Sequence, residues 1–297
     1  MKSYRTWAGR LKSLTKSTVL SAGVVLGLAG AMPAQALTIV LNFVSAPTTD
    51  INGVRTTPEA FTSWGFTGLL SLDAIRNATL AAVQTDYLAY PNAAQNPLSP
   101  LPVGKQLDID FVWSNGLTGA GNGDPDFFYV DIGDANPNQG FLGQACLDCV
   151  RNSAGNASQP AGAIVGSILT DSIAALLNLA TNDTQRINLL AGTVSHEIGH
   201  SLTLRHPNGQ LANPGASPYS LMGTGASPTL MPSSERVKDR AFAYTEFASL
   251  IQSIGLRDVS PIPEPAPALM LAVGLVAVAL RSGALRRRGQ RASSSHN

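Results

Sequence analysis

Along residues 107–113, Leu-Asp-Ile-Asp-Phe-Val-Trp, apolar and polar positions alternate with a period of two, which predicts a half-buried strand. Residues 38–44, Thr-Ile-Val-Leu-Asn-Phe-Val, read as an earlier strand, and 127–132 and 163–169 as two more. Between the first two, Leu72, Ile75, Leu80, Val83 and Leu88 fall at helical spacing, so 71–88 predicts an amphipathic helix. A short helix is expected at 171–179. A long one is expected from Gln185 to about Leu202, with Thr184 able to cap it. Ser233 or Ser234 caps a last helix over 235–254, which Gly255 would end. Mixed strands and helices of this kind make an α+β domain, and 163–169 is the expected edge strand.

Composition sets the ends apart from this body. Lys2, Arg5, Arg10, Lys12 and Lys16 precede an apolar run at 19–32, and Ala34-Gln35-Ala36 supplies small residues for cleavage. This is the layout of a secretory signal peptide over 1–36. At the other end, Pro263-Glu264-Pro265 leads into an apolar stretch from 266, then Arg281, Arg286, Arg287, Arg288 and Arg291. The stretch is short for a membrane span, though it reaches 285 if Arg281 snorkels. The basic tail would stay on the cytoplasmic side. Residues 259–297 resemble the PEP-CTERM sorting signal of Gram-negative bacteria. That resemblance implies an exosortase-type processing partner, with a permanent anchor through 266–285 as the alternative. Either way the body is exported across the inner membrane to the cell envelope or beyond.

Residues 37–258 remain, about 220 residues and enough for one domain. The formal net charge is +1, and many cations sit in the two terminal segments. The body is therefore mildly acidic, which argues against nucleic acid as a partner. No propeptide is evident between Ala36 and the first strand.

The chemistry concentrates at one place. The chain has four histidines, and His196, His200 and His206 fall within eleven residues. On a helix, positions four apart share a face, so His196 and His200 can present two imidazoles to one ion. Glu197 stands beside them in the H-E-x-x-H pattern of two zinc ligands and a general base. A straight helix would carry His206 about 9 Å beyond His200, so the chain must turn out of the helix near Thr203. Pro207 favours that exit by disfavouring helical backbone at His206.

With His206 included, the stretch resembles the metzincin zinc endopeptidases, whose motif is H-E-x-x-H-x-x-G-x-x-H followed by a Met-turn. Ser220-Leu221-Met222-Gly223 is the matching turn, with Met222 as the apolar floor under the metal. The resemblance covers 185–223. It implies a metzincin-like zincin fold with a mixed twisted sheet, an active-site helix, a Met-turn and a C-terminal helix. It also implies one catalytic Zn²⁺ on His196, His200 and His206, Glu197 as base, and a protein or peptide substrate laid along the edge strand. One departure stands out: Thr203 occupies the glycine position. A β-branched residue resists positive φ, so either the turn differs or Thr203 is strained. Were His206 not a ligand, Glu235, Asp239 or Glu246 would be the carboxylate in reserve. Thr224 stands where some metzincins carry a tyrosine, so no tyrosine switch is expected.

Cys146 and Cys149 are the only cysteines, and in an exported chain the pair predicts a local disulfide. Asp124, Asp126, Asp131 and Asp134 offer oxygen ligands of the type Ca²⁺ takes, but without EF-hand spacing; a solvated loop and strand edge is the plainer account. Two other functional classes fit the same residues. One is a catalytically silent envelope or matrix protein that keeps the metal for structure, against which Glu197 argues. The other is a zinc hydrolase acting on a non-peptide bond.

Overall fold

The computed structural model describes residues 36–114, 127–135, 140–224 and 231–259. The expected export and sorting segments fall outside these, apart from Ala36 and Val259, as do Asp124 and Asp126. No helix among the described residues is long and apolar enough to cross a membrane.

The fold is α+β, built on a five-stranded mixed sheet. In chain order the first elements are β1 (Leu37–Phe43), the short ribbon β2 (Thr48–Thr49) and β3 (Arg55–Thr56), and helix α1 (Leu72–Leu88). Next come β4 (Lys105–Leu107), β5 (Ile109–Ser114), β6 (Phe127–Gly133), β7 (Gly143–Ala145) and β8 (Ile164–Leu169). The last are α2 (Thr170–Ala174), α3 (Asp183–Ser201), α4 (Tyr244–Ile254) and β9 (Leu256–Asp258). Across the sheet the order is β5-β1-β6-β8-β7, with the first four strands parallel and β7 antiparallel to β8.

Parallel strands covered on both faces are apolar throughout rather than alternating. All seven residues of β6 are buried, Asp131 among them. The main core joins Ile39, Leu41, Phe128, Val130 and Ile168 of the sheet to Val83 and Tyr87 of α1 and Leu190 and Val194 of α3. A smaller cluster, Val40, Phe127 and Tyr129, lies apart from it. Ser71 caps α1, its side chain accepting from the Ala74 N–H at 3.1 Å, and Asn182 rather than Thr184 caps α3 through the Gln185 N–H.

Three expectations are corrected. The strand at 163–169 is not an edge: β8 lies between β6 and β7, and β7 holds the margin. A Cβ at Gly166 would lie 2.9 Å from the Gln144 carbonyl oxygen, so glycine is what lets β7 come in close. Second, the helix at 235–254 is broken into a 3₁₀ turn, Ser233–Val237, and α4. The intervening backbone is taken up elsewhere, the Ala241 carbonyl accepting from the Leu221 N–H at 2.9 Å while Phe242 packs edge-on to Tyr87. Third, 107–113 is split at Asp108, because β4 leaves the main sheet to pair with β9.

Candidate metal centre

Helix α3 brings His196 and His200 onto one face one turn apart. Its packing is set by α1: the Tyr87 hydroxyl donates to the Ser195 carbonyl at 2.8 Å, and the Ser195 hydroxyl donates to Asp86 Oδ2 at 2.6 Å. After Ser201 the chain turns sharply. The Leu202, Thr203 and Leu204 amides fold back onto the carbonyls of residues 198–200. Thr203 makes the turn at φ +86°, in the left-handed region where a β-branched residue costs about 1–3 kcal/mol. The turn thus keeps a positive φ and places threonine in it.

That turn returns His206 to the helix face. The three Nε2 atoms converge, 3.0 Å for His196–His206, 3.1 Å for His196–His200 and 2.9 Å for His200–His206. Nitrogens on a tetrahedral zinc at about 2.0–2.1 Å would stand about 3.3 Å apart, so the donor set fits such an ion with a small relaxation. Among the described residues this is the one cluster of histidine, cysteine and carboxylate groups with metal-holding geometry. The opposite ring nitrogens fix the tautomers. His196 Nδ1 bonds the Leu221 carbonyl at 2.8 Å and His200 Nδ1 the Leu204 carbonyl at 2.9 Å. Each Nδ1 therefore carries the proton and leaves the Nε2 lone pair free. Burial lowers the pKa of all three, and each also feels one arginine: Arg240 at His196, Arg205 at His200 and Arg236 at His206. All three imidazoles are held neutral, the form that binds metal.

Met222 is fully buried. A Cβ at Gly199 would lie 2.6 Å from its sulfur, so the thioether rests against α3 between the two histidine turns. The turn that carries it is pinned by the Ser220 hydroxyl, which accepts from the Met222 N–H at 3.1 Å and donates to Glu246 at 3.0 Å.

Glu197 is 6% exposed and lies against the edge strand. A Cβ at Gly143 would meet Glu197 Cγ at 2.8 Å, so β7 needs glycine there to seat the carboxyl. Burial pushes the Glu197 pKa up to about 8, opposed by the Arg236 charge and the Ala145 backbone N–H.

The end of α3 is capped by a distant loop. Cys146 and Cys149 are joined by a disulfide. The Asp148 N–H donates to the His200 carbonyl at 3.1 Å, and the Val150 and Arg151 N–H groups donate to Ser201 at 3.0 and 3.2 Å. Arg205, beside His206, grips Asp148 with both terminal nitrogens.

None of the reserve carboxylates joins the histidine cluster. Glu246 accepts from the Ala243 N–H, Glu235 is bound by Ser217 and Lys238, and Asp239 lines a cavity of about 190 Å³ with Asp86 and Arg240. Of the four aspartates weighed for calcium, Asp131 is buried and held by Asn42 and Thr48, and Asp134 accepts from Thr170 at 2.8 Å. Sequence reasoning passed over Gly199, Gly143, the Asp148–Arg205 clamp and Arg240. Gly199 carried a legible signal, being a small residue inside the motif, whereas Gly143 lies far from it in sequence and the clamp spans 57 residues with no local signature.

No family model matches the chain, and no curated protein does. Among solved structures it is similar to one described as the GM1-bound form of the ECX AB5 holotoxin, with a TM-score of 0.33 and 13% identity over 82% of this chain and 88% of that one. At that level of likeness nothing is carried over from the holotoxin.

Proposed function

We propose that this chain is an exported zinc endopeptidase of the metzincin type. The observation that carries the reading is the convergence of three Nε2 atoms, two of them tautomer-fixed, beside a buried glutamate. His196, His200 and His206 would hold the ion. When bound, zinc supplies a Lewis acid that acidifies water and polarises the scissile carbonyl. The chain's own part is proton transfer and positioning. Glu197 takes the proton of the attacking water on its carboxylate, then delivers it to the leaving amine nitrogen. The positive charge of a bound ion would favour the Glu197 carboxylate, the form that accepts the proton.

Strand β7 offers the substrate a backbone edge. Leu142 and Cys146 bond β8, so in an antiparallel ladder the polar groups of Gly143 and Ala145 point outward, the Ala145 N–H onto Glu197. An extended peptide added there would pass directly over Glu197. In this reading Ser220–Gly223 is the Met-turn and Met222 its apolar floor, keeping the imidazole stems dry. Export through the 1–36 leader and exosortase-type sorting through 259–297 belong to the same proposal.

The deciding experiment compares zinc content and protein digestion for the parent and Glu197→Ala. Expected is equal zinc in both, cleavage by the parent, and a loss of about 10²-fold or more in the variant. Equal zinc with no cleavage by either would overturn the peptidase reading, and absence of zinc from both would overturn the metal centre.

A further inference from the structure

The two helical histidines take their direction from carbonyls of different standing. The His200 acceptor is the Leu204 carbonyl, and the Leu204 N–H returns to the Gly199 carbonyl of α3 at 2.9 Å. That acceptor is tied to the helix that carries the ring. The His196 acceptor is the Leu221 carbonyl, which lies in the turn before Met222, outside any helix or strand. An imidazole is aimed only as firmly as the group that bonds its other nitrogen. Leu221 therefore needs a hold of its own.

Residues 240 and 241 supply it from both sides. The Ala241 carbonyl accepts from the Leu221 N–H at 2.9 Å. Arg240 Nη1 donates to the Leu221 carbonyl at 3.4 Å and reaches Met231 Sδ at 3.6 Å. A carbonyl oxygen has two lone pairs, so this one serves both the arginine and His196 Nδ1, which lies 2.8 Å away. The arginine bond is long. Its donor is charged, however, and lies on a residue only 4% exposed, where water screens it little.

Two features show that space is reserved for this guanidinium. Arg76 and Arg186 are withdrawn from water on ion pairs with Asp73 and Asp183. Arg240 is buried with no ion pair among the described residues, and Asp86 and Glu235 offset its charge only from longer range. The second feature is Gly192. A Cβ there would lie 2.9 Å from Arg240 Nη2. Gly192 is inside α3, where glycine costs about 0.5–1 kcal/mol relative to alanine. It stands four residues before His196, on the same helix face. The notch that admits the guanidinium is thus cut one turn ahead of the ring.

We infer that Arg240 is a positioning residue of the metal centre: seated in the Gly192 notch, it holds the Leu221 carbonyl that aims His196 Nε2 at the ion. It acts through that carbonyl and not on the ion itself. The inference rests on the histidine triad as a metal centre and is independent of the bond that the enzyme cleaves.

The test uses the full chain with ¹⁵N-labelled imidazoles as the parent, Arg240→Met, Arg240→Lys and Gly192→Ala. Arg240→Met keeps an apolar stem and removes the donor, whereas Gly192→Ala keeps the arginine and closes its notch. His200 is the reference within each protein. In the zinc-free chain the His196 Nδ1 proton should exchange with solvent several-fold faster in Arg240→Met and Gly192→Ala, with the His200 Nδ1 proton unchanged. Zinc affinity, read by chelator competition, should fall about 10-fold in both variants. Arg240→Lys should recover part of each loss, because it restores a charged donor without the planar fork. Equal acceleration of both protons would mean a general loosening of the domain and would overturn the inference. Parental His196 exchange in Arg240→Met, or faster exchange with parental zinc affinity, would overturn it as well and leave the metal centre standing. Absence of zinc from every form, the parent included, would remove the metal centre and this inference together. Should Arg240→Met fail to fold, Gly192→Ala decides alone: alanine favours the helix, so parental His196 exchange there would remove the role of the seated guanidinium.

Discussion

The candidate metal centre has two halves built by different rules. His196 and His200 stand on α3 one turn apart, and helical periodicity alone aligns them. His206 reaches the same point through a reversal at Thr203, a clamp from Arg205 to Asp148 and a loop recruited from residues 146–151. The helical half is cheap in sequence and rigid by construction. The returning half needs several contacts that no short motif contains. His200 joins them, since its Nδ1 holds the Leu204 carbonyl of the exit segment while its Nε2 faces the other two rings.

That bridging position predicts unequal ligands. Removing one of three imidazoles should weaken zinc binding by about 3–5 kcal/mol, roughly a third of the free energy typical of protein zinc sites. His200→Ala should be worse than His206→Ala by about 10-fold, because it also releases the segment that carries His206. Competition with a chelator of known affinity measures both. Equal losses would mean that the returning half holds itself in place without the helix.

The halves should also respond to pH in opposite directions. On the helical side, Asp86 accepts from Ser195, and burial raises its pKa from the ordinary 3.8 to about 8. The folded protein binds this proton more tightly than the unfolded chain, so the contribution is full below about pH 4 and is lost as pH rises toward 8. Asp86→Asn should flatten that decline, which amounts to at most a few kcal/mol. On the returning side, hydrogen bonds from Arg205 lower the Asp148 pKa. Its contribution is present above the ordinary carboxylate value and disappears as pH falls through the lowered one. The pair is partly exposed, so Asp148→Asn should cost under about 1 kcal/mol at neutral pH and nothing in strong acid. Urea titrations across pH 3–9 would read both slopes.

A last expected effect has the opposite sign. Thr203→Gly places at φ +86° the residue that adopts it without strain. Stability should rise by about 1 kcal/mol, a shift of about 2–4 °C in thermal midpoint for a domain of this size. A loss of stability would show that the threonine side chain makes contacts worth more than the strain.

What the sequence disclosed divides along the same line. The helix bearing His196, Glu197 and His200 is legible because its ligands and its periodicity are both local. The strands of the main sheet are legible as apolar runs. Strand β7 is not, because Gly143-Gln144-Ala145 has neither alternation nor bulk; its identity as the edge comes from pairing with β8. The break between Val237 and Tyr244 was hidden for a related reason. Apolar spacing there suits a helix, yet the Ala241 carbonyl is claimed by Leu221 and the Arg240 side chain by the turn around Leu221. Arg240 has no motif at all, and its meaning depends on what surrounds it in three dimensions.

The loop closed by Cys146 and Cys149 has a further consequence for how this region opens. The Asp148 amide inside it and the Val150 and Arg151 amides just beyond it are held by the last carbonyls of α3. Those amides can exchange with solvent only when the helix end frays, and the helix end cannot fray without breaking the same bonds. A covalent staple shortens the loop's reach, so it cannot drift off while keeping one contact. Loop and helix end are therefore a single cooperative unit, and the amides of Asp148, Val150 and Arg151 should exchange in step.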